Sequence, residues 1–220
     1  MKDLIKKIHM FEPYSPILED DPRIKFMSEK YSMPENEAIV KLKDSGFIDC
    51  LKEFYKRTYF TENYGWSVPS EDAIDKIVKF AYDKRILEVG AGYGLWAKLL
   101  QEKNLEVKAT DLIKGRKTYS MDGNSFTDIE DIEAFEAVTT YSEYEVLMLS
   151  WPPYDNPMAF KCLEEFKGDK LIYIGENRSG CTANEDFFDL LESKWKEKDV
   201  IHIPQWEGIH DYLFLFERIK

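Results

Sequence analysis

From residue 85 onward, short apolar runs bounded by turn residues alternate with segments of helical periodicity. Short apolar runs are typical of buried strands, whereas apolar positions about three to four residues apart are typical of amphipathic helices. The pattern predicts strands over 85–90, 106–111, 125–132, 145–150, 170–175, 199–204 and 211–217. Helices are predicted between them over 94–103, 133–141, 157–166 and 183–195.

The order of these segments predicts the fold class. Alternation of strand and helix places parallel strands in one sheet with helices on both of its faces. Only a short loop separates the last two strands, so the final strand must run antiparallel to its neighbour. We therefore predict an α/β fold with a Rossmann-like, mostly parallel seven-stranded sheet whose last strand is reversed.

Residues 1–62 differ from the rest of the chain, because they are rich in Lys, Glu, Tyr and Phe and are punctuated by prolines. Helices are expected over 34–45 and 47–59, which predicts a small helical N-terminal extension preceding a domain over 63–220. The extension is expected to cover one edge of the core, and its alternative role is a substrate lid. A further helix over 70–83 begins at Ser70, a good capping residue.

Composition narrows the possible partners. A net charge of −12 disfavours a stand-alone nucleic-acid binder, because such proteins neutralise phosphates with Lys and Arg. The three cysteines and three histidines lack the spacing of metal ligands or of a disulfide framework. We expect no metal, no membrane segment and a reducing, cytoplasmic location.

The most informative motif joins the strand over 85–90 to the next helix. It contains Glu88 and then Gly90, Ala91, Gly92 and Gly94. A buried strand that ends in a glycine turn and opens into a helix lets the backbone approach a nucleotide closely. The dinucleotide fingerprint requires a glycine at position 95, which is Leu95. An acid beside the turn repels a pyrophosphate and suits S-adenosylmethionine, which carries a sulfonium and an ammonium.

A second acid, Asp111, ends the following strand, about 20 residues beyond the glycines. At this distance a carboxylate is placed to accept hydrogen bonds from ribose hydroxyls. The alternative for Asp111 is an ordinary turn or capping residue.

The fourth strand ends in Ser150-Trp151-Pro152-Pro153-Tyr154, followed by Asp155. Two prolines at the end of a buried strand form a rigid turn at the edge of the sheet where ligands bind in α/β folds. The aromatic ring that follows offers a face for stacking.

The glycine turn with its two acids resembles the first motifs of class I S-adenosylmethionine-dependent methyltransferases. The Pro-Pro-Tyr turn resembles the fourth motif of amino-methyltransferases, in which Asp, Asn or Ser precedes Pro-Pro and an aromatic residue. The resemblance implies that the carbonyl of Pro152 and the ring of Tyr154 hold a planar amine. Trp151 departs from this motif because indole donates but does not accept a hydrogen bond, and Asp155 is the candidate for the missing acceptor.

The same resemblance implies further cofactor contacts. An acid after the third strand binds the adenine amine, and the candidates are Asp131 and Glu133. The turn over 64–69 contacts the methionine end of the cofactor through Trp66 and Pro69. Ser150 completes the implied cofactor site.

Three more polar residues follow the fifth strand or precede the last one. Glu176 and Arg178 are expected either to form a substrate-recognition pair or to cap the sheet. His210 is expected to be either a base or an ordinary surface histidine. The capping box Thr182 to Glu185 is predicted to open the helix over 183–195.

These features predict a methyltransferase that uses S-adenosylmethionine and methylates a nitrogen of a planar amine or amide. The acceptor is a nucleobase, a protein side chain or a small metabolite. The alternative is a non-catalytic methyltransferase-like subunit that binds a partner and keeps a vestigial cofactor pocket.

Overall fold

A computed structural model describes residues 5–6, 22–44, 56–112 and 125–220. The strands are β1 Ile86–Val89, β2 Val107–Asp111, β3 Ile129–Asp131, β4 Val146–Ser150, β5 Lys170–Gly175, β6 Trp195–His202 and β7 Tyr212–Arg218. The helices are α1 Pro22–Tyr31, α2 Glu35–Asp44, α3 Glu71–Ala81, α4 Leu95–Gln101, α5 Ala134–Thr140, α6 Met158–Glu165 and α7 Glu185–Lys194. Residues 56–63 are also helical.

The seven strands form one sheet in the order β3-β2-β1-β4-β5-β7-β6. Neighbouring pairs are parallel except for those made by β7, which runs antiparallel to both β5 and β6. The predicted Rossmann-like α/β fold with a reversed last strand is confirmed. The strand order reverses between β1 and β4, which is the position where open α/β sheets bind ligands.

Period-2 alternation along the strands divides the core into two layers. On one face, residues such as Ile86, Met148 and Ile172 pack against α3 and α4. On the other face, residues such as Leu87, Leu147 and Tyr173 pack against α5, α6 and α7. Both faces are thus covered, as expected of a mostly parallel sheet.

The N-terminal region contributes to the first of these faces. Phe60 and Tyr64 are buried with the side chains of α3 and α4, so residues 56–63 cover the core as predicted. Helix α2 matches the predicted helix over 34–45, whereas α1 was not predicted. Residues 47–55 of the other predicted helix lie outside the described residues. The boundary between residues 62 and 63 stays a prediction.

Two strands differ from their predicted extents. Strand β3 is limited to Ile129–Asp131, because the chain before it turns and Phe126 donates its backbone N–H to Tyr93 at 2.8 Å. Strand β6 begins directly after α7, at Trp195, which pairs with Arg218. After the buried Trp195, residues 196–198 are charged and exposed, because an edge strand does not need an alternating apolar pattern.

Helix α7 is capped by a different residue from the one predicted. The side chain of Asn184 accepts a hydrogen bond from the Phe187 N–H at 3.2 Å. Thr182 lies two residues earlier, and its buried hydroxyl accepts from the Glu176 N–H at 3.0 Å and bonds Tyr173 at 2.7 Å. The predicted capping box at Thr182 is therefore wrong, because its hydroxyl serves the end of β5.

Among the described residues, no helix combines the length and hydropathy needed to cross a bilayer. Within the same residues, no group of three or more His, Cys, Asp or Glu side chains is arranged to hold a metal ion.

We predict that Asn184→Ala lowers the free energy of unfolding by about 1 kcal/mol through loss of the cap. Thr182→Val should lower it by about 2–3 kcal/mol, because the buried Glu176 N–H and the Tyr173 hydroxyl lose a partner. Urea unfolding of both variants measures the difference. Equal losses would contradict the assignment of the cap to Asn184.

Candidate functional site

The carboxyl ends of the parallel strands and the loop before β7 meet at one edge of the sheet. Gly175, at the end of β5, pairs with Tyr212, at the start of β7. His202, at the end of β6, pairs with the same Tyr212. The turns after β1, β4 and β5 and the 203–211 loop therefore lie along the same edge.

The glycine turn follows β1 directly. The backbone N–H groups of Gly90 and Ala91 both donate to the Thr110 carbonyl of β2, at 2.9 and 3.0 Å, which bends the chain out of the strand. The N–H of Gly92 donates to Oδ2 of Asp111 at 2.7 Å. The glycine turn and Asp111, which the sequence marked as two separate motifs, are thus in direct contact.

Gly92 and Gly94 are both left-handed, with φ of 59° and 74°, but for different reasons. A Cβ atom on Gly94 would lie 2.8 Å from Cγ2 of Thr127, so this glycine permits close packing before β3. A Cβ atom on Gly92 would meet nothing within 4 Å. The backbone at Gly92 therefore borders open space, as expected where a ligand approaches.

A cleft of about 240 Å³ opens beside this turn. It is lined by Val89, Gly90, Asp111, Leu112, Ile132, Glu133, Ala134, Pro153, Asn156 and Met158. Of the two acids proposed for adenine, only Glu133 lines the cleft, where its side chain also caps α5. Asp131 is exposed and is not among the lining residues.

A smaller cleft of about 40 Å³ lies on the other side of the turn. It is lined by Tyr64, Gly65, Trp66, Ser67, Gly90, Ala91, Gly92, Leu95, Trp96 and Ser150. Trp66 and Ser150 thus lie beside the glycine turn, whereas Pro69 is buried and does not line the cleft. Their contacts with a cofactor stay predictions.

Glu88 is buried in the centre of the sheet, with 1 % of its surface exposed. Neither carboxylate oxygen has a hydrogen-bond partner. Burial raises the pKa of Glu88 to about 8, and the negative charge of Asp111 raises it further. The backbone N–H of Ala97 in α4 partly lowers this pKa, although it does not complete a hydrogen bond. A buried acid of this kind favours a cationic partner.

Ser67 was missed by the sequence interpretation. Its buried hydroxyl accepts from Nε1 of Trp96 at 2.9 Å and lies 3.0 Å from the hydroxyl of Ser150. This chain of hydrogen bonds fixes the 64–69 turn against α4 and the end of β4. The residues next to Ser67 do not indicate these contacts, because Trp96 and Ser150 lie far from Ser67 in the sequence.

The Trp-Pro-Pro-Tyr turn is held in an unusual backbone conformation. Trp151 and Asp155 have positive φ values of 52° and 49°, and strain of this kind concentrates at functional sites. The N–H of Trp151 donates to Ile174 at 2.8 Å, and the N–H of Asp155 donates to the carbonyl of Ala183 at 3.0 Å. Strand β5 and the β5–α7 loop therefore fix the turn.

The structure bears on two roles that were predicted for this turn. The carbonyl of Pro152 accepts the Ala183 N–H at 3.1 Å, so it is engaged within the protein. The side chain of Tyr154 is 67 % exposed and lines a separate surface depression with residues of the β5–α7 loop. Pro153 alone of the turn lines the larger cleft beside Gly90.

Trp151 instead joins the turn to Asp211, a residue that the sequence interpretation did not assign. Its indole Nε1 donates to Oδ2 of Asp211 at 2.8 Å. Asp211 is 1 % exposed, and its Oδ1 has no partner. Burial raises the pKa of Asp211 to about 6 despite the Trp151 hydrogen bond, and the charge of Glu176 contributes.

Glu176 and Arg178 do not form a pair. The Glu176 carboxylate accepts backbone N–H groups from Cys181 and His210, each at 2.7 Å. Burial acts to raise its pKa, but these hydrogen bonds outweigh burial, so the pKa of Glu176 lies below its usual value. Glu176 thus caps the edge of the sheet.

Arg178 turns away from Glu176 and binds three carboxylates of α7, those of Glu185, Asp189 and Glu192. The side chain of His210 is 75 % exposed, in keeping with a surface histidine. One surface depression is nevertheless lined by Glu176, Arg178, His210 and Tyr154. Nδ1 of His210 lies 3.6 Å from Oε1 of Glu176, and a substrate-binding role for these residues stays a prediction.

Comparison with known proteins identifies the fold of the chain. No protein-family model and no curated protein sequence matches it. Among solved structures, it is similar to Burkholderia thailandensis 1,6-didemethyltoxoflavin-N1-methyltransferase with bound 1,6-didemethyltoxoflavin and S-adenosylhomocysteine, with 12% identity, a TM-score of 0.50 and coverage of 85% of this chain and 91% of that chain. The PH0226 protein from Pyrococcus horikoshii OT3 is also similar, with 11% identity and a TM-score of 0.50, and the match covers 75% of this chain and 98% of that chain. At these identities the likeness concerns the fold.

We predict that Gly94→Ala destabilises the protein by about 2–3 kcal/mol, because it adds a clash with Thr127 to the left-handed backbone strain. Gly92→Ala should cost only about 1 kcal/mol, since it carries the strain without the clash. Urea unfolding of the two variants tests this. A larger loss for Gly92→Ala would mean that the space beside Gly92 is filled by protein.

We predict that Glu88→Gln gains stability over the parent protein as the pH rises. The folded-state pKa of Glu88 is raised from 4.5 to about 8, so the folded protein retains a proton that the unfolded chain releases. The parent protein therefore loses stability between about pH 4.5 and 8, whereas the variant does not. The difference should grow by about 2–4 kcal/mol across this window, as measured by urea unfolding at both ends. A pH-independent difference would show that Glu88 is already ionised when buried.

Proposed function

We propose that this protein is an S-adenosylmethionine-dependent methyltransferase that acts on a nitrogen of a planar amine or amide. The observation that carries the proposal is Glu88, a buried carboxylate without a hydrogen-bond partner beside a glycine turn that faces open space. An ionisable group is rarely buried without a partner unless a ligand supplies one.

The residues around the turn fit this cofactor in charge and shape. Glu88 suits a positively charged methionine portion and repels a phosphate. Asp111 ends β2 beside Gly92, and this position supports a role in binding ribose hydroxyls. Leu112 and Ile132 give the larger cleft an apolar wall suited to adenine, and Glu133 lies beside them.

When bound, S-adenosylmethionine supplies an activated methyl group, so the protein mainly has to orient the acceptor and exclude water. The Trp96–Ser67–Ser150 hydrogen bonds fix the wall of the smaller cleft for this purpose. The strained Trp151 turn, anchored by β5 and Asp211, holds the acceptor side rigid.

A nitrogen acceptor is supported by the chemistry of this edge. Two indoles, Trp66 and Trp151, stack with their ring centres 5.2 Å apart and provide flat apolar surface. The buried Asp211 carboxylate lies beside them and accepts N–H groups. The Pro152 carbonyl is engaged by Ala183 and is not part of this proposal.

One observation favours the alternative of a non-catalytic binding subunit. Trp151 occupies the position of the motif's polar acceptor and donates its only side-chain hydrogen bond to the protein itself. Transfer of labelled methyl groups into protein extract, nucleic acid and metabolite pools separates the two. Cofactor binding without any transfer would favour the alternative.

We predict that calorimetric titration with S-adenosylmethionine gives saturable binding, and that Asp111→Asn weakens it about 10- to 100-fold. The loss reflects a charge-assisted hydrogen bond to the ribose. Asp83→Asn is the matched control, because Asp83 is an exposed acid after α3 at the opposite edge of the sheet. Unchanged affinity in Asp111→Asn would remove Asp111 from the site, and no heat with the parent protein would contradict the proposed function.

A further inference from the structure

Two buried atoms near the Trp151 indole, one hydrogen-bond acceptor and one donor, have no hydrogen-bond partner. They are Oδ1 of Asp211 and Nε of Arg57. The other oxygen of Asp211 accepts the Trp151 indole N–H at 2.8 Å. The guanidinium carbon of Arg57 lies 5.8 Å from the centre of the Trp151 ring. A buried charged donor or acceptor without a hydrogen-bond partner costs more free energy than a neutral group in the same state.

The two groups do not satisfy each other, although they interact electrostatically. The charge of Arg57 lowers the pKa of Asp211, yet among the described residues no hydrogen bond or ion pair joins them. Arg57 is half-buried, but its Nε atom is buried and unpartnered, as is Oδ1 of the buried Asp211. These two atoms are the ends that a ligand would bridge. A bridging ligand must donate an N–H to the carboxylate and offer an acceptor to the guanidinium.

The charges around this site select the class of ligand. Asp211 and Glu176 together disfavour an anion, because Glu176 already raises the pKa of Asp211. The guanidinium of Arg57 disfavours a simple cation. A neutral group that carries a donor beside an acceptor avoids both repulsions.

Trp66 covers the route by which a ligand reaches this site. Its ring stacks on Trp151, its centre lies 5.6 Å from the guanidinium carbon of Arg57, and it is 51 % exposed. Both unpartnered atoms are shielded from solvent, so a side chain must move before a ligand reaches them. The half-exposed Trp66 is held mainly by stacking, and a flat ligand can replace that stacking energy.

We propose that Asp211 and Arg57 form the acceptor-binding subsite, which takes an uncharged flat molecule with an N–H donor next to a hydrogen-bond acceptor. Primary carboxamides on an aromatic ring and aminopyrimidines belong to this class. The ring stacks on Trp151 in place of Trp66, the N–H bonds Oδ1 of Asp211, and the acceptor bonds Nε of Arg57. Its role as the site of the methyl acceptor rests on the proposed function.

The test uses benzamide, nicotinamide and cytosine as probes, with binding measured by ligand-detected NMR. Benzoate is the matched negative probe, because it has the ring of benzamide but no N–H. The full-length protein should bind at least one of the three probes with millimolar affinity and should not bind benzoate. Asp211→Asn should weaken probe binding at least tenfold, whereas Asp83→Asn should leave it unchanged.

Further variants check the geometry. Trp66→Ala should bind the probe at least as tightly as the parent protein, because the covering ring is gone, whereas Trp151→Ala should weaken binding at least tenfold. Circular dichroism melting shows that each variant is folded. Asp155→Asn tests the other candidate for the acid that accepts the ligand N–H, since Asp155 lies in the same turn as Trp151.

The inference is overturned if none of the probes binds the parent protein, if Asp211→Asn binds the probe equally well, or if benzoate binds as tightly as benzamide. It is also overturned if Asp155→Asn, and not Asp211→Asn, weakens binding. Cofactor calorimetry is independent of these results. Probe binding without S-adenosylmethionine binding would leave the subsite standing and remove the methyltransferase proposal.

Discussion

The burial of Glu88 at the centre of the sheet is the constraint around which this molecule is arranged. Strand β1 pairs with β2 on one side and β4 on the other, and helices cover both faces, so no water reaches the carboxylate. The charged form is disfavoured at this position. The surrounding strands and helices must supply the free energy that keeps the acid there, and the glycine turn beside it is shaped by the same strands.

A second constraint lies at the carboxyl end of β4, where several residues have strained backbone conformations. Trp151, Asp155 and Ala183 all have positive φ. Hydrogen bonds between Pro152, Asp155 and Ala183 lock the turns after β4 and β5 together. Strained residues persist only where neighbouring structure over-determines them, and here the two turns fix each other.

Local signals in the sequence were sufficient for the half of the edge around the glycine turn. The strand, the glycine turn and the acid at position 111 are predicted from short segments, and the structure places Asp111 against Gly92. The half around Trp151 was not predictable in this way. Asp211 meets Trp151 only because β7 inserts between β5 and β6, and no periodicity within either segment reports a contact across 60 positions. The same distance effect explains why the contacts of Ser67 and the hydrogen bond from Ala183 to the Pro152 carbonyl were not predicted.

The reversed β7 has an evolutionary consequence. Because it runs against its neighbours, it delivers the 203–211 loop to the edge where the parallel strands end, beside β4 and β5 and away from β1 and β2. The acid that bonds the Trp151 indole, Asp211, thus comes from a different part of the chain from Asp111, which bonds the glycine turn. Mutational drift in the loop before β7 can reshape the environment of Trp151 while the Glu88 and Asp111 half stays intact, so one scaffold can diversify its chemistry on one side only.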